Sequence, residues 1–274
     1  MKESGKAIIV GCDFSEFSNH ALNHALFYSY QTNMKLCLVH VVKRESQVGE
    51  MEIKLQNEVD RVYRETGKCI NMMVRVGKVA SGLRAAAIEI SATIIFIGTQ
   101  GVKGIQNLIG SNTLKIILDS VIPFVVIQEP RKVNNCFSVV CPIDSRKECK
   151  EVLFWVKYLA KTLDAHIYLV YPTYKTQARI SMIKANVNFS RHYLHDFHVN
   201  FEETGLRSRN FNDAVVDFAK MKKADLILSI TGRQTKVQNF FSASKIQYLI
   251  ANREKIPVLC LSPRKDLWTY GSYK

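Results

Sequence analysis

The stretch ATIIFIGTQGVKGIQNLIGSNT, residues 92–113, joins an apolar run to a glycine-rich loop. The run ATIIFI is rich in β-branched residues, which is typical of a parallel strand covered on both faces. Helical spacing returns after the loop, at Leu114, Ile117 and Leu118. A strand that ends in glycines before a helix predicts a phosphate-binding turn, because glycine allows close backbone approach and a helix N-terminus favours anions.

The loop carries four glycines, at positions 98, 101, 104 and 110, and Ser111 follows the last of them. We expect the backbone N–H groups to turn toward an anion there. The Ser111 hydroxyl either caps the helix or donates to a phosphate oxygen. The alternative is an ordinary strand-to-helix turn, since glycines are common in turns.

Strands and helices alternate through the first half of the chain. The pattern predicts strands at Ala7–Cys12, Lys35–Val42, Ile70–Val76, Ala92–Ile97 and Pro123–Gln128, and helices over about Ser18–Thr32, Val48–Thr66 and Ala80–Ser91. Strands separated by helices of this length predict a parallel sheet with right-handed crossovers and helices on both faces.

The same series starts again after a short polar segment, Glu129–Asn135. The second half has predicted strands at Phe137–Pro142, Ala165–Tyr171, Phe197–Glu202, Asp225–Ile230 and Pro257–Ser262, and helices over Glu148–Leu163, Ile180–Leu194, Asn212–Lys222 and Ser244–Asn252. Asp13 and Asp144 each follow the first strand of a half. We therefore predict a tandem duplication, with an open, mainly parallel five-stranded α/β domain at residues 1–130 and another at 136–265.

Composition sets the class of protein. The chain is 47% hydrophobic and 23% charged, as expected of a globular protein, and it has neither a signal-peptide layout nor an unbroken apolar run long enough for a membrane span. We expect a cytoplasmic protein. Seven cysteines without a CxxC pair predict reduced, mostly packed thiols rather than zinc ligands or disulfides.

The net charge of +14 is concentrated in the second half. Residues 1–130 hold 14 Lys and Arg against 12 Asp and Glu, whereas residues 131–274 hold 24 against 12. Such a surplus suits an anionic partner. The basic residues are dispersed, however, and lack the aromatic interleaving of a single-strand binder, which disfavours nucleic acid as a partner.

The chain resembles the universal stress protein family in its tandem form, over essentially its whole length. The segment IIVGCDFSEFSNHALNHAL, residues 8–26, is similar to that family's first strand, acidic turn and first helix, and LVHVV, residues 38–42, to its second strand. ATP-binding members carry G-x2-G, about nine residues, and then G-[ST]. Here eight residues separate Gly101 from Gly110-Ser111, one fewer than in those members.

The resemblance implies that the chain binds an adenine nucleotide, ATP or AMP, with or without Mg²⁺. It places Cys12 and Asp13 at the ribose or adenine and the backbone near Val41 at the adenine. Around the ribose and phosphates it places Gly98, Gly101, Gly110, Ser111 and Asn112. The predicted topology also favours a site at these positions, because the carboxyl ends of the first and fourth strands flank a topological switch point. The alternative for Asp13 is a cap on the turn into the first helix.

The equivalent loop of the second half, TGRQTKVQNFFSAS at residues 231–244, keeps only Gly232 and carries two phenylalanines. We predict one nucleotide site per chain and a degenerate second domain that packs against the first domain or a partner. The expected function is that of a nucleotide-binding stress-response or signalling protein, with a protein partner or a homodimer left open.

Two other functions stay open. One is a nucleotide-independent interaction scaffold of the same fold. The other is an enzyme of the wider adenine nucleotide α-hydrolase-like group, which needs a polar substrate pocket beside Gly98. No GxSxG or Walker pattern is present, so we expect at most slow ATP hydrolysis and assign no catalytic residue.

The histidines are the remaining candidates for chemistry. His192, His195 and His198 share a predicted helix end, which is compatible with a metal site but more typical of a solvated or packed cluster. His20 and His24 have no HExxH partner and are expected on a helix surface. We assign no metal ligand.

Overall fold

The computed structural model describes residues 6–100, 120, 122–130, 136–173, 177–230 and 246–263. The chain divides into two compact units, Met1–Val133 and Asn134–Lys274. The predicted cradle positions after Gln100 and the loop at residues 231–244 lie outside the described residues.

The first unit is an open, parallel α/β sheet. Its strands are β1 (Ala7–Gly11), β2 (Lys35–Val42), β3 (Asn71–Val76), β4 (Ala92–Gly98) and β5 (Phe124–Ile127), and its helices are α1 (Glu16–Thr32), α2 (Val48–Thr66) and α3 (Val79–Glu89). The strand order is β3-β2-β1-β4-β5, and every described pair is parallel. Because right-handed crossovers that run in opposite directions use opposite faces, α1 and α2 cover one face and α3 covers the other.

The second unit repeats this plan. Its strands are β6 (Ser138–Pro142), β7 (His166–Pro172), β8 (Phe201–Leu206), β9 (Leu226–Ile230) and β10 (Val258–Leu261), and its helices are α4 (Val152–Leu163), α5 (Gln177–Asp196) and α6 (Phe211–Met221). Residues 246–250 are also helical. The strand order is β10-β9-β6-β7-β8, again with parallel described pairs. The predicted α/β fold class is confirmed.

The central strands form the core of each unit. Ile8, Ile9 and Val10 of β1 have no exposed surface, and every residue of β5, β9 and β10 is buried. Such β-branched and apolar runs suit strands that are covered on both faces. Over the described ranges, no helix has both the length and the apolar character needed to cross a membrane.

Two predicted elements need correction. The predicted strand Phe197–Glu202 begins too early, because α5 continues to Asp196 and the chain then turns through His198, whose φ is +51°. Buried Leu194 and Val199 hold this turn together, and the Val199 N–H donates to the Leu194 carbonyl. The predicted helix from Glu148 starts instead with a 3-10 turn, Lys147–Glu151.

Candidate functional site

A crevice lies where the connections of the first sheet change direction. From β1 the chain proceeds to β2 and β3 on one side, whereas β4 and β5 lie on the other. Gly11, the last residue of β1, pairs with Val39 of β2 and Ile97 of β4. Ligands of open α/β sheets bind at this position, outside the carboxyl ends of the strands. The structure thus brings together Cys12, Asp13 and the end of β4.

Asp13 caps the turn that leads into α1. Its Oδ1 accepts hydrogen bonds from the Ser15 amide at 3.0 Å and the Ser15 hydroxyl at 2.5 Å. Ser15 in turn caps the helix, accepting from the Ser18 amide at 3.2 Å. The capping alternative for Asp13 is therefore realised, and the carboxylate remains exposed beside the crevice. Its contact with a ligand stays a prediction.

Cys12 contributes backbone groups rather than a reactive thiol. Its N–H donates to the Val39 carbonyl at 2.9 Å, and its carbonyl accepts from His40 Nδ1 at 2.7 Å. Burial, together with the smaller effect of the nearby charges of Glu58 and Asp13, raises the pKa of the thiol to about 11. The thiol is therefore protonated at neutral pH and is a poor nucleophile.

Phe14 and His40 form an aromatic wall beside these groups. Phe14 has a φ of +62°, a left-handed conformation that bulky residues rarely adopt. Its ring lies 4.8 Å from the His40 ring, at 44°, and keeps 36% of its surface exposed. Since a carbonyl only accepts, the bond to Cys12 keeps a proton on His40 Nδ1. Sequence reasoning missed this wall, because a positive φ at phenylalanine has no sequence signal.

Val41 presents its backbone to the same space. In a strand, successive peptide groups point to opposite neighbours. The Val39 carbonyl faces β1, where it accepts from Cys12, and the Val42 carbonyl faces β3, where it accepts from Gly77 at 2.8 Å. The N–H and C=O of Val41 therefore point to the β1 side, beyond the last β1 residue that pairs with β2.

Gly98 ends β4 against the start of α1. A Cβ atom there would lie 1.8 Å from the Phe17 carbonyl oxygen and 2.7 Å from the Ser18 amide nitrogen. The close approach of α1 therefore requires glycine at this position even without a ligand. Gly101, Gly110, Ser111 and Asn112 lie outside the described residues, so the phosphate side of the site remains a sequence prediction.

The matching place in the second unit is crossed by an arginine. Asp144 repeats the turn of Asp13, with Oδ1 accepting from the Arg146 amide at 2.8 Å. Its Oδ2 also accepts from Arg146 Nε at 2.7 Å, and Arg146 Nη1 donates to the Ile230 carbonyl at 3.3 Å. Ile230 corresponds to Gly98. Ile230 is the fourth residue of β9 that pairs with β10, and Gly98 is the fourth residue of β4 that pairs with β5. The arginine side chain thus joins the ends of β6 and β9.

The second unit also lacks the backbone donor of Val41. The Ile143 amide donates to the Val170 carbonyl at 2.8 Å, as Cys12 does to Val39. Two residues beyond Val170 stands Pro172, in the position of Val41. Proline has no N–H. Sequence reasoning overlooked Arg146 and Pro172, although the repeat alignment places both beside predicted site positions.

The histidine candidates are not gathered into a metal site in the described part of the chain, where no group of three or more potential metal-binding side chains occurs. His192, His195 and His198 are individually exposed. His20 and His24, expected on a helix surface, lie on α1 and are half-buried. Packing of α1 on the sheet brings His24 Nε2 to 3.2 Å from the Glu129 carbonyl, to which it donates.

The fold and the crevice define an open α/β protein of the Rossmann-like class. Residues 5–128 match the model of the universal stress protein family. The chain therefore contains a universal stress protein domain in its first unit. No protein of curated function matches the chain in sequence.

Two solved structures that the chain resembles over nearly its whole length share its fold. A universal stress protein from Archaeoglobus fulgidus DSM 4304 is 16% identical, with 96% of this chain and 98% of that chain covered at a TM-score of 0.72. A functionally unknown protein from Pseudomonas aeruginosa PAO1 is 13% identical, with coverages of 95% and 93% and a TM-score of 0.67. A universal stress protein family protein from Arabidopsis thaliana, solved with AMP bound, is 16% identical, with coverages of 47% and 94% and a TM-score of 0.35.

Proposed function

We propose that the first unit binds an adenine nucleotide, ATP or AMP, at the β1–β4 switch point. The observation that carries this proposal is the difference between the two crevices. In the first unit the ends of β1 and β2 present an exposed carboxylate and an outward-facing peptide group, whereas in the second unit Arg146 crosses the same place. Ser15 stands where the second unit has Arg146, and its short side chain bonds only to its neighbours Asp13 and Ser18 in the described part of the chain, which leaves room there for a ligand.

The residues match the parts of the nucleotide. The N–H and C=O of Val41 offer a donor and an acceptor to the edge of the adenine ring. The rings of Phe14 and His40 supply an aromatic surface against which the planar base can pack. Asp13 directs a carboxylate toward the ribose hydroxyls, which are hydrogen-bond donors. The glycine-rich loop at positions 98–111 would then hold the phosphates, with or without Mg²⁺.

The nucleotide acts in this proposal as a signal or stabiliser, in a cytoplasmic stress-response protein. The thiol of Cys12, with its pKa near 11, is not a nucleophile at neutral pH, and the Asp13 carboxylate is engaged with Ser15. These residues can hold a nucleotide but supply no activated group for attack on a phosphate. At most, ATP hydrolysis would be slow.

We further propose that residues 136–265 are a second, degenerate universal stress protein domain that binds no nucleotide. Two features support this assignment. The Asp144 carboxylate is paired with Arg146, whereas the equivalent Asp13 carboxylate is exposed, and Pro172 lacks the N–H that Val41 provides. The domain would then serve to pack against the first domain or against a partner, including a second copy of the chain.

Calorimetric titration of Asp13→Ala and Asp144→Ala with ATP and with AMP tests the proposal. Both substitutions remove the same capping turn, so the cost in helix capping is matched between them. We expect wild type to bind one nucleotide per chain, Asp13→Ala to bind at least about tenfold more weakly, and Asp144→Ala to bind as wild type does. Two sites per chain, or equal losses in both variants, would contradict it.

A nucleotide-independent scaffold is the second candidate. It is favoured by the finding that two site residues have structural reasons of their own, since Gly98 is required by the approach of Phe17 and Asp13 caps α1. Ligand present at a hundred times its Kd stabilises a native protein by about 2.7 kcal/mol. The scaffold function predicts no rise in melting temperature at millimolar ATP or AMP, whereas the nucleotide site predicts a rise of several degrees.

A further inference from the structure

Helices α4 and α5 of the second unit and the turns beside them carry two lysines that lie against four aromatic rings, which we call the aromatic–lysine strip. Its members, taken from the 3-10 turn, both helices and the turn after α5, are Lys150, Phe154, Lys157, Phe189, Tyr193 and Phe197. The fold brings them together from segments that are more than thirty residues apart in the sequence.

Each lysine of the strip lies over a ring. The Lys150 ammonium is 4.4 Å from the centroid of Phe189. The Lys157 ammonium is 3.8 Å from the centroid of Phe197 and 5.8 Å from those of Phe154 and Tyr193. These distances are those of cation–π pairs, which hold a positive charge beside an aromatic surface.

The rings continue along the strip and reach solvent. Phe189 and Tyr193 are nearly parallel, at 20°, with centroids 6.4 Å apart, and Tyr193 lies 4.8 Å from Phe197. Phe154 is 59% exposed and Phe197 is 40% exposed. Large exposed apolar side chains that are grouped rather than scattered mark interaction surfaces.

The charge of this half of the chain favours an anionic partner. Residues 131–274 hold 24 Lys and Arg against 12 Asp and Glu. Acidic groups are present near the strip, with Asp196 exposed at the end of α5 and Glu148 and Glu151 in the adjoining 3-10 turn. The two ammonium groups nevertheless lie over rings, where a phosphate can approach them.

We propose that the aromatic–lysine strip binds single-stranded nucleic acid, independently of the nucleotide site in the first unit. In a single strand, bases and phosphates alternate, and binders of such strands combine a basic track with rings on which bases stack. Lysines and rings do not interleave regularly along the sequence, but the packing of α4 and α5 places them side by side, with the lysines available to phosphates and the rings to bases.

Two other anionic or apolar partners fit less well. Aromatic rings insert into a lipid surface when no charged group lies against them. Here Phe189 and Phe197 each have a lysine ammonium within 4.4 Å of the ring centre, and burying that charge in hydrocarbon is costly. The central part of a protein interface is depleted in lysine. A single strand is the partner that uses both components at once.

Fluorescence anisotropy with a labelled oligothymidylate of fifteen nucleotides tests whether the strip binds a single strand in the full chain. Thymidylate is used so that the probe does not compete for an adenine site. We expect Phe197→Ala and Lys157→Gln each to weaken binding at least about fivefold, because one stacked base contributes roughly 1–3 kcal/mol. Lys157→Gln should also lower the slope of log affinity against log salt by about 0.7.

The matched control is Lys68→Gln in the first unit. Lys68 lies 4.4 Å over the Tyr30 ring, so this variant removes the same charge from an isolated lysine–ring pair and should bind as wild type does. Phe154→Ala, at an exposed ring, provides a second strip variant should Phe197→Ala unfold, and circular dichroism checks each fold.

Four results would overturn the proposal. The first is no binding of the oligonucleotide at 50 mM salt. The second is equally tight binding of an abasic strand of the same length, which would mean that the rings are not used. The third is an equal loss in Lys68→Gln and Lys157→Gln, and the fourth is binding to phosphatidylserine vesicles without binding to the oligonucleotide.

Discussion

The two switch points of this chain have the same backbone turn but different side chains beside it. Asp13 and Asp144 follow equivalent strands and make the same turn, each accepting from the amide two residues on. The residue that supplies the amide differs, being Ser15 in the first unit and Arg146 in the second. Serine caps its helix, whereas arginine reaches across to the Ile230 carbonyl. The fold fixes where a site can be, and the side chains decide whether it exists.

Backbone positions differ as well. At the end of β2 the first unit presents the peptide N–H of Val41, and at the end of β7 the second has Pro172. At the ends of β4 and β9, Gly98 allows α1 to approach, whereas Ile230 carries a buried side chain. The second unit also has a 3-10 turn, Lys147–Glu151, before α4, whereas α1 of the first unit begins directly after its N-cap Ser15.

The largest expected effect is on stability, at Gly98. Gly98→Ala adds one carbon, which would lie 1.8 Å from the Phe17 carbonyl oxygen, so we expect the free energy of unfolding to fall by about 3 kcal/mol. Ile230→Val removes one carbon at the equivalent position and should lower it by only about 1 kcal/mol. Urea denaturation measures both values. Equal losses would mean that α1 does not approach β4 as closely as described.

The next effect is on nucleotide affinity, at Ser15. Ser15→Arg introduces the side chain that crosses the second crevice, and its pairing with Asp13 should weaken ATP binding at least ~30-fold, or about 2 kcal/mol. Ser15→Ala is the control: it removes the helix cap, at about 1 kcal/mol of stability, and leaves the crevice open. Calorimetric titration would contradict the comparison if both variants bound ATP equally well.

A smaller loss of affinity is expected at Val41. Val41→Pro copies Pro172 and removes a single N–H, so binding of ATP or AMP should weaken about tenfold, the value of one hydrogen bond of roughly 1.4 kcal/mol. Val41→Ala keeps the N–H and should bind nearly as wild type does. The same titration measures both variants, and an unchanged affinity in Val41→Pro would remove this amide from the site.

The smallest effect concerns the thiols. At pH 7.5 iodoacetamide should modify exposed Cys69 and Cys136 and leave Cys12 unmodified, because burial raises the pKa of Cys12 to about 11. Mass spectrometry of the digested protein locates the label. Rapid modification of Cys12 at this pH would show that the turn after β1 is open.

The raised pKa values of the buried thiols also predict that the stability of the fold decreases at high pH. A buried thiol whose folded pKa lies above its unfolded value near 9 stabilises the fold fully below pH 9 and loses that contribution as pH rises through the folded value. Burial raises the pKa of Cys12 to about 11 and that of Cys260 to about 12. The melting temperature should therefore decline between pH 9 and 12, and Cys260→Ala should reduce that decline.

Much of the fold followed from local patterns. The predicted strand Lys35–Val42 and helix Val48–Thr66 have the observed bounds. The strand is a largely apolar run, and the helix ends at Gly67, whose φ of +69° suits glycine. The candidate site was predictable only in part. Periodicity placed Asp13 at a strand end, but it carried no information on the φ of Phe14 or the register that turns Val41 toward β1.

By itself the sequence determined the alternation of strands and helices, the repeat, and the placing of Asp13 and Gly98 at the carboxyl ends of strands. The tertiary structure decided that Arg146 meets the carbonyl of Ile230, 84 residues away, and that Lys157 lies over Phe197. The physical reason is the range of the interactions. Burial periodicity is set by neighbours along the chain, whereas the reach of a long cation depends on elements that only packing brings side by side.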